Sequence, residues 1–427
     1  MSGETTNTLI NGMQKRVYDK SGIKDLRPSC AILQKKITFE NGTRKIGESY
    51  QVPVALKLPN GWTPLGSTGA ANGSLKQPRP QEIKQAAITP FSSILEERVV
   101  YAALSRAAQE GEGAFASLTA ETLKGMKKSG GVRIEQNMLG GQKTLGTVEA
   151  VADGGSSTAV ITFTAASWRP GLWWALGQGA TLDSWTAGTK NNGAGVLVLT
   201  AINAAERKIT VSHTATYSDE IDPGDEIYFE AATTDPTDSA VWAEAAGLIA
   251  QASNTSGTSM GLSAATYALW AGNTYNVGGN ISMDNVEEAV GQLRDRGADG
   301  TLELYISNKG FAALMSQAKT NRNFDASYNS EKAKQGHKSQ SYFSADVGEI
   351  EIINHPFVAQ GEFLLFNPQD CCRVGSSDMD FGVPNTDADW WTPMPGTNYA
   401  SIQMHVDQGT LLKKPNMGMH GYGITYT

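Results

Sequence analysis

The clearest pattern of apolar and polar positions lies between Ser282 and Val374. After Ser282, apolar residues recur at helical spacing as far as Gly297, a natural stop, which predicts a helix over residues 283–296. Strict alternation predicts a strand over residues 302–306. The other predicted elements are a helix over 308–318 with Ser307 as its N-cap, a polar loop over 319–348, and strands over 349–353 and 363–366. This order predicts an α+β domain.

Residues 36–88 predict a long β-hairpin that follows an extended or mobile arm over residues 1–35. Residues 37–39 and 50–58 alternate, and the Asn41-Gly42 pair between them is a strong turn signal. Residues 66–80 are rich in Gly, Ala, Asn and Pro and predict a loop. Few apolar residues stand behind this hairpin, and isolated hairpins are marginally stable. We therefore expect it to lie on its own domain or on a neighbouring molecule.

Two helices are predicted after the hairpin. Thr89-Pro90 begins a helix that extends through Phe91 to about Gln109, with Thr89 as its N-cap. At about 1.5 Å per residue it would span roughly 30 Å, which is long for a small domain. A second, weaker helix is predicted over residues 118–128, and Gly130-Gly131 is expected to break it.

The texture changes to short strands and Gly turns between residues 143 and 232. Strands are predicted over 147–151, 158–164, 195–200 and 208–212, with another over 221–229, and no helix is required. Many short strands separated by turn signals are typical of a small β-barrel or sandwich. Because both flanks differ in composition, we interpret this stretch as a domain inserted into another.

Helical spacing resumes over residues 239–252, and the chain ends in strand-like segments. These segments cover residues 399–406, 410–413 and 422–426. They predict that strands from the C-terminus return to a sheet formed by earlier parts of the chain.

The composition is that of a globular protein. The 427 residues are 40% hydrophobic, enough for two or three domains with a substantial core. No apolar run reaches the ~18 residues that a membrane span needs, and the N-terminus has no secretory pattern. The three cysteines, Cys30, Cys371 and Cys372, make no disulfide framework, which favours a reducing compartment.

The charge is distributed unevenly. Residues 1–142 carry 19 Lys+Arg against 12 Asp+Glu, whereas residues 143–232 carry 5 against 10 and residues 233–427 carry 11 against 21. The basic part is thus the least compact part, and both parts that look folded are acidic. One hypothesis is self-association, in which a basic arm lies against the acidic body of another copy. The alternative is solvated charge without a partner.

No combination of residues gives a specific catalytic, cofactor or metal signature. His405 and Asp407 share a strand face, but alternation brings two such residues together easily, and no spaced partner motif accompanies them. Cys371 with His355 or His405 would make a nucleophile and base, although a cysteine beside a strand is more often a small apolar core residue. We therefore predict no enzymatic activity, no catalytic, cofactor-binding or metal-binding residues and no cofactor.

Tryptophans suggest a different function. Four of them, Trp168, Trp173, Trp174 and Trp185, cluster in the β-rich stretch and could stack on sugars. The core of a small barrel would use the same residues, and this interpretation is favoured. Trp390-Trp391 could anchor an interface, since Trp is enriched at hot spots, or could belong to an ordinary core.

The order of these parts resembles the major capsid proteins of tailed bacteriophages, which share the Hong Kong 97-type fold. In that family an N-terminal arm leads to an extended hairpin loop, a spine helix in a peripheral domain and an axial α+β domain at the capsomer centre, and some members carry a β-rich insertion. Residues 36–80 resemble the extended loop, residues 91–109 the spine helix and residues 282–374 the axial domain. The resemblance is one of architecture and rests on no short motif.

The resemblance implies a coat protein that self-assembles into hexamers and pentamers of an icosahedral shell enclosing double-stranded DNA. Implied partners are other copies of the chain, a portal, scaffolding or decoration proteins, and DNA bound without sequence specificity. No membrane is involved, and the location is the virion, after assembly in the host cytoplasm. The alternative function is a surface carbohydrate-binding or adhesion protein. The expected division is an arm (1–35), the extended loop (36–88), the spine helix and peripheral domain (89–142), the β insertion (143–232), a peripheral helix and connection (233–281), the axial domain (282–374) and returning C-terminal strands (375–427).

Overall fold

A computed structural model describes most of the chain beyond the first thirty residues. The described ranges are 31–41, 45–46, 49–63, 77–100, 112–141, 144–153, 157–186, 189–191, 196–213, 221–230, 246–320, 340–344, 348–382, 392–394 and 396–426. Their α-helices are α1 (Leu33–Lys36), α2 (Glu112–Leu139), α3 (Pro170–Leu176), α4 (Leu248–Ser253), α5 (Met283–Asp295) and α6 (Asn308–Thr320). Short 3₁₀ turns cover Ala268–Trp270, Pro368–Asp370 and Pro415–Met417. None of the described helices is long and apolar enough to cross a membrane.

The strands of the described residues fall into five sheets. In chain order they are β1 (Phe39–Asn41), β2 (Lys45–Ile46), β3 (Ser49–Lys57), β4 (Glu82–Ile88), β5 (Phe91–Val100), β6 (Gly146–Asp153), β7 (Thr158–Phe163), β8 (Thr181–Thr186), β9 (Thr189–Lys190), β10 (Leu197–Asn203), β11 (Lys208–Ser212), β12 (Glu226–Phe229), β13 (Thr258–Ser259), β14 (Leu262–Ser263), β15 (Asn273–Gly279), β16 (Leu302–Ile306), β17 (Gln340–Ser344), β18 (Gly348–Asn354), β19 (Phe363–Phe366), β20 (Cys371–Phe381), β21 (Thr392–Pro393), β22 (Tyr399–Leu412) and β23 (Met419–Ile424).

The six-stranded sheet contains the α+β block that the sequence predicts. Its strand order is β15-β23-β19-β16-β18-β17. The predicted strands over 302–306 and 363–366 are confirmed residue for residue, and helix α5 begins after Ser282, whose side chain accepts the N–H of Asn285 in a capping box. Strand β23 lies between β15 and β19, so the C-terminus does return to this sheet. Residues 371–374, in contrast, start β20 and belong to a different sheet, so the block ends earlier than predicted.

The predicted helix over 91–109 is wrong over its described part, because residues 91–100 form strand β5. All ten residues of β5 pair with β22, from Phe91 opposite Gln408 to Val100 opposite Tyr399. Apolar spacing alone does not distinguish the two structures, and pairing with ten residues of β22, from the far end of the chain, decides the outcome. Ile94, which a buried helical stripe would cover, is 62% exposed. Residues 101–109 lie outside the described part of the chain.

The long helix of the structure is α2 instead. It extends from Glu112 to Leu139 without a break at Gly130-Gly131, so the prediction that these glycines end a helix is wrong. A Cβ on Gly130 would lie 2.4 Å from Cε of Met404 in β22. The end of the Met404 side chain thus occupies the space that a Cβ would fill, and the helix continues through the glycines despite their low helix propensity.

Strands of the 143–232 region pair in a closed cycle. Each of β10, β11, β7, β6, β12 and β8 pairs with the next, β8 pairs again with β10, and β9 extends from β8. Helix α3, which begins with Pro170 at its first turn, corrects the prediction that this region needs no helix. Phe163, Trp168 and Trp173 pack in one core with Phe357 and Tyr305 of later segments. The interpretation of this region as an inserted domain stays a prediction.

The predicted hairpin exists but has a different return strand. Residues 39–41 do not fold back on residues 50–58 as the Asn-Gly signal suggested; β1 pairs in parallel with β20, with Phe39 opposite Arg373. Strand β3 pairs instead with β4, with Tyr50 opposite Ile88. The predicted turn at 42 and the predicted helix start at 239–245 lie outside the described residues.

Candidate functional site

Strands β3 and β4 form a ribbon that extends beyond its last regular pair. The ladder proceeds from Tyr50–Ile88 to Lys57–Glu82, with a bulge between Ala55 and Lys57. Asn60 and Arg79 then exchange two backbone hydrogen bonds of 3.0 and 2.7 Å. Backbone pairing between the two strands therefore continues to Asn60 and Arg79, beyond Leu56, the last buried residue of β3.

The inner face of the ribbon is anchored in the body. Tyr50, Leu56, Ala86 and Ile88 are buried and pack in one cluster with Trp270 and its neighbours. The ribbon therefore does not depend only on its own two strands, which would leave it marginally stable.

The opposite face and the far end of the ribbon expose apolar side chains. Ala55 and Ile83 are cross-strand partners, and Pro53 is on the same face two residues earlier. All three are exposed, Ile83 at 59%, while Leu58 and Trp62 towards the far end are exposed at 73% and 86%. We call Pro53, Ala55, Leu58, Trp62 and Ile83 the ribbon surface. Contiguous exposed apolar residues mark interaction sites more often than free surface.

A polar network fixes the ribbon to the loop before the Ala268–Trp270 turn. Lys57 Nζ lies 2.6 Å from Oε2 of Glu82, and the Tyr267 hydroxyl donates to Oε1 of Glu82 over 2.7 Å. The hydrogen bond from Lys57, followed by the one from Tyr267, lowers the pKa of Glu82. These groups are partly exposed to solvent, so they mainly orient the ribbon relative to this loop and add little to the stability of the subunit.

Asp407 holds the base of the ribbon. Its Oδ2 accepts hydrogen bonds from the hydroxyls of Tyr50, at 3.3 Å, and Ser376, while its Oδ1 accepts from Ser92 over 2.6 Å. One carboxylate of β22 thus joins the starts of β3 and β5 with β20. The His405–Asp407 pair considered as a metal site is used differently, and no group of three His, Cys, Asp or Glu side chains among the described residues could hold a metal ion.

A second carboxylate, this one buried, holds the segment that precedes the ribbon. Oε1 of Glu135, in helix α2, accepts the backbone N–H groups of Ile32 over 2.8 Å and Leu33 over 2.6 Å, and Oε2 accepts that of Gln34 over 3.2 Å. These are the orphan donors at the start of the one-turn helix α1. Nε2 of His355 also lies 3.0 Å from Oε1 of Glu135.

The environment of Glu135 favours its ionised form. Burial by itself raises the pKa of this carboxyl, but the hydrogen bonds from His355 and from the backbone N–H groups outweigh it, and the pKa is lowered. A buried carboxylate is tolerated only when its lone pairs are satisfied in this way.

Two cations complete the attachment of this segment. Arg373, in β20, donates from Nε to the carbonyl of Ile37 over 3.1 Å and from Nη1 to Asp378 over 2.7 Å. Lys36 lies 2.7 Å from Glu303 and 3.2 Å from Glu351, both in the six-stranded sheet. Lys36 is thus paired within its own chain.

The aromatic and thiol candidates lie elsewhere. Trp168, Trp173 and Trp185 are buried, which removes the sugar-stacking face on which the alternative function rested, and Trp174 is 51% exposed. Cys371 and Cys372 are buried thiols; burial raises both pKa values, that of Cys372 to about 11, so neither resembles an activated nucleophile. Trp390-Trp391, Cys30 and most of the polar loop, residues 321–339, lie outside the described ranges.

Sequence reasoning missed Glu135, Asp407 and Arg373 as structural links. Glu135 had a usable signal, because Val132, Met138 and Leu139 surround it at helical spacing. A carboxylate on an apolar stripe indicates a buried polar contact. Arg373 carried no comparable signal, since two of its acceptors, the carbonyl of Ile37 and the side chain of Gln408, lie more than thirty positions away.

The sequence matches the model of a protein family. Residues 132–374, more than half of the sequence, match the model described as SU10 major capsid protein. The chain belongs to this family. It is therefore a major capsid protein of the tailed-phage type, the coat protein of an icosahedral shell and a component of the virion.

A solved capsid shares the fold of this major capsid protein. The capsid asymmetric unit of Cyanophage A-1(L) matches over 100% of both chains with a TM-score of 0.52 at 10% identity. The capsid of the Cyanophage P-SCSP1u matches over 98% of this chain and 95% of the other, with a TM-score of 0.46 at 8% identity. No curated protein matches by sequence. The α+β, Hong Kong 97-type fold expected from the order of parts is confirmed, and the carbohydrate-binding alternative finds no support.

Proposed function

We propose that copies of this major capsid protein form hexamers and pentamers in which the ribbon surface of each copy is buried against a neighbour. The observation that carries the proposal is the exposure of the large apolar side chains Leu58, Trp62 and Ile83. Such residues are the usual anchors of interfaces, and an aromatic ring buries about 150–250 Å². A weak contact of this size becomes stable when it is repeated around a closed shell.

Charge supports the same arrangement. The first 142 residues carry the excess of cations, and the remainder of the chain is acidic. We propose that the basic arm and ribbon lie on acidic parts of neighbouring copies. The shell would enclose double-stranded DNA that it binds without sequence recognition, and its acidic bodies would keep DNA from adhering to the wall.

The remaining partners follow from the same role. We propose a portal and, where needed, scaffolding or decoration proteins, with assembly in the host cytoplasm and no catalysis by the chain. We keep the proposed division except in two places: α2 replaces residues 91–109 as the spine helix, and residues 371–374, which start β20, no longer belong to the axial domain.

Substitution of the ribbon surface tests the proposal. Trp62→Ala is compared with Trp174→Ala, because both tryptophans are more than half exposed and only Trp62 belongs to the ribbon surface. Native mass spectrometry and electron microscopy of the expressed protein should show pentamers, hexamers or shells for the parent chain and for Trp174→Ala, and mainly unassembled subunits for Trp62→Ala. Normal shells from Trp62→Ala would reject the ribbon contact. Monomers of the parent chain under all conditions, including co-expression with its neighbouring gene products, would reject the capsomers.

A further inference from the structure

Residues 32–41 form a short connection between the N-terminal arm and the ribbon, which we call the strap. The strap contains α1 and β1, and its Leu33 and Ile37 are fully buried in the main core. Its backbone pairs with the body only from Thr38, whose carbonyl accepts the N–H of Arg373 over 3.0 Å, to Asn41, along an edge of the sheet. Most of its polar attachment therefore comes from side chains of the body.

Glu135 is the body group with most contacts to the strap backbone. Its carboxylate accepts three consecutive backbone N–H groups of the strap, those of Ile32, Leu33 and Gln34. The side chain is completely buried. An apolar residue of the same size would avoid the desolvation of a charge, and replacing buried charges in this way is often neutral or stabilising. A carboxylate is required, however, if three fixed N–H donors must be met in one arrangement.

His355 fixes the carboxylate from the other side. The ring nitrogen Nδ1 of His355 accepts the N–H of Phe357 over 3.2 Å, which leaves Nε2 as the donor to Glu135. The backbone N–H of His355 in turn bonds to the carbonyl of Ile306, at the end of β16. The six-stranded sheet thus sets the direction of His355, His355 that of Glu135, and Glu135 that of the strap.

We propose that Glu135 is a positioning residue for shell assembly, which holds the strap in one register on the body so that the arm and the ribbon leave it at fixed places. The inference rests on the proposed function in one respect, namely that arm and ribbon contact neighbouring copies. The holding of the strap itself is a property of the single subunit and can be measured without assembly.

Glu135→Gln separates positioning from folding. The amide keeps the size of the side chain, but its NH₂ group replaces one acceptor, so at least one donor among the strap N–H groups and His355 loses its partner. Glu149→Gln is the matched control, because Glu149 is an exposed carboxylate paired with Arg207 at 2.9 Å. Hydrogen–deuterium exchange of unassembled full-length subunits should show the amides of residues 32–41 exchanging about tenfold faster or more in Glu135→Gln. Exchange in β16 and β19, and all exchange in Glu149→Gln, should remain as in the parent chain.

A second pair of variants acts from the side of the strap. Ile32 has φ −81°, which proline can adopt, and its N–H donates to Glu135. Ile32→Pro removes this donor and Ile32→Ala keeps it, so faster strap exchange in the proline variant than in the alanine variant is expected. If Glu135→Gln fails to fold, this comparison still tests whether the contact with Glu135 holds the strap in place.

Assembly is the second readout, measured as the fraction of protein in shells. Glu135→Gln should lower it severalfold, whereas Glu149→Gln should not. Unchanged strap exchange would overturn the proposal, and so would faster strap exchange with normal assembly. Normal shells from Trp62→Ala together with impaired assembly of Glu135→Gln would reject the ribbon contact alone and leave the role of the strap in place.

Discussion

Nε2 of His355 lies 3.0 Å from Oε1 of Glu135, and both side chains are completely buried. Because Nδ1 of His355 already accepts the N–H of Phe357, Nε2 is the ring nitrogen that donates to Glu135. The pair links helix α2 with the segment after β18, and through Glu135 it reaches the strap. Three parts of the chain that are far apart in sequence are thus joined at one carboxylate.

This contact predicts that acid weakens the subunit through Glu135. A carboxyl whose pKa is lowered by folding stabilises the protein above its unfolded pKa of about 4.3, and that stabilisation disappears as the pH falls through the folded pKa. The parent chain should therefore be more stable than Glu135→Gln at pH 7, and the difference should shrink below about pH 4.3. Urea unfolding of unassembled subunits at a series of pH values measures this difference, and a constant difference down to pH 3 would contradict the assignment.

Replacement of glycine by alanine should have opposite effects on subunit stability at Gly375 and at Gly125. A Cβ on Gly375 would lie 2.0 Å from the backbone carbonyl oxygen of Asp407, which cannot move without breaking the β20–β22 ladder. Gly375→Ala should therefore destabilise the subunit by about 2 kcal/mol or more and disturb the base of the ribbon. Gly125, in contrast, has open space around its Cβ position in helix α2.

Gly125→Ala serves as the control for Gly375→Ala. Alanine has the higher helix propensity and should stabilise the subunit by about 0.5–1 kcal/mol. Thermal unfolding of both variants and of the parent chain measures the expected loss of stability in Gly375→Ala and the expected gain in Gly125→Ala. Equal effects of the two substitutions would show that the close approach at Gly375 relaxes at little cost.

Local patterns predicted four strands of the six-stranded sheet, β16, β18, β19 and β23, because these segments carry local signals, whereas β15 was not predicted and β17 lies inside the predicted polar loop over 319–348. Ser282 caps a helix that its own sequence specifies, and residues 302–306 and 363–366 alternate or are uniformly apolar over the length of one strand. In these segments propensity, caps and tertiary packing favour the same structure.

The errors occurred where a distant partner decides the structure. Residues 91–100 fit a helix by spacing and form a strand because β22, some three hundred positions later, pairs with all of them. Residues 39–41 pair with β20 for the same reason. The candidate site was predictable only as a region, since the exposure of Trp62 and the contacts of Glu135 and Asp407 depend on packing that one sequence does not display.

Adjacent tryptophans in helix α3 predict very different costs of truncation. Trp173 is fully buried, with its ring centroid 5.0 Å from that of Phe163 and 6.4 Å from that of Trp168. Trp173→Ala should destabilise the subunit by about 3–5 kcal/mol, because it removes a large side chain and leaves a cavity. Trp174→Ala should cost less than about 1 kcal/mol, since its side chain is half exposed. Denaturant unfolding of both variants measures the contrast, and similar losses would contradict the assignment of Trp173 to the core.

Reversal of charge at two neighbouring lysines should separate contacts between copies from contacts within one. Lys36 lies between Glu303 and Glu351, so Lys36→Glu places a third carboxylate beside two others and should lower the stability of the unassembled subunit by about 1–3 kcal/mol. Lys35 is exposed, and among the described contacts no ion pair involves it, so Lys35→Glu should leave subunit stability unchanged.

If the basic strap meets an acidic neighbour, Lys35→Glu should nevertheless reduce shell formation, most strongly at low salt, because screening weakens such contacts. Sedimentation at 50 mM and 500 mM salt, beside urea unfolding of each variant, measures both effects. Normal assembly of Lys35→Glu at low salt would show that this lysine is simply solvated, whereas lower subunit stability would place its contact within the chain.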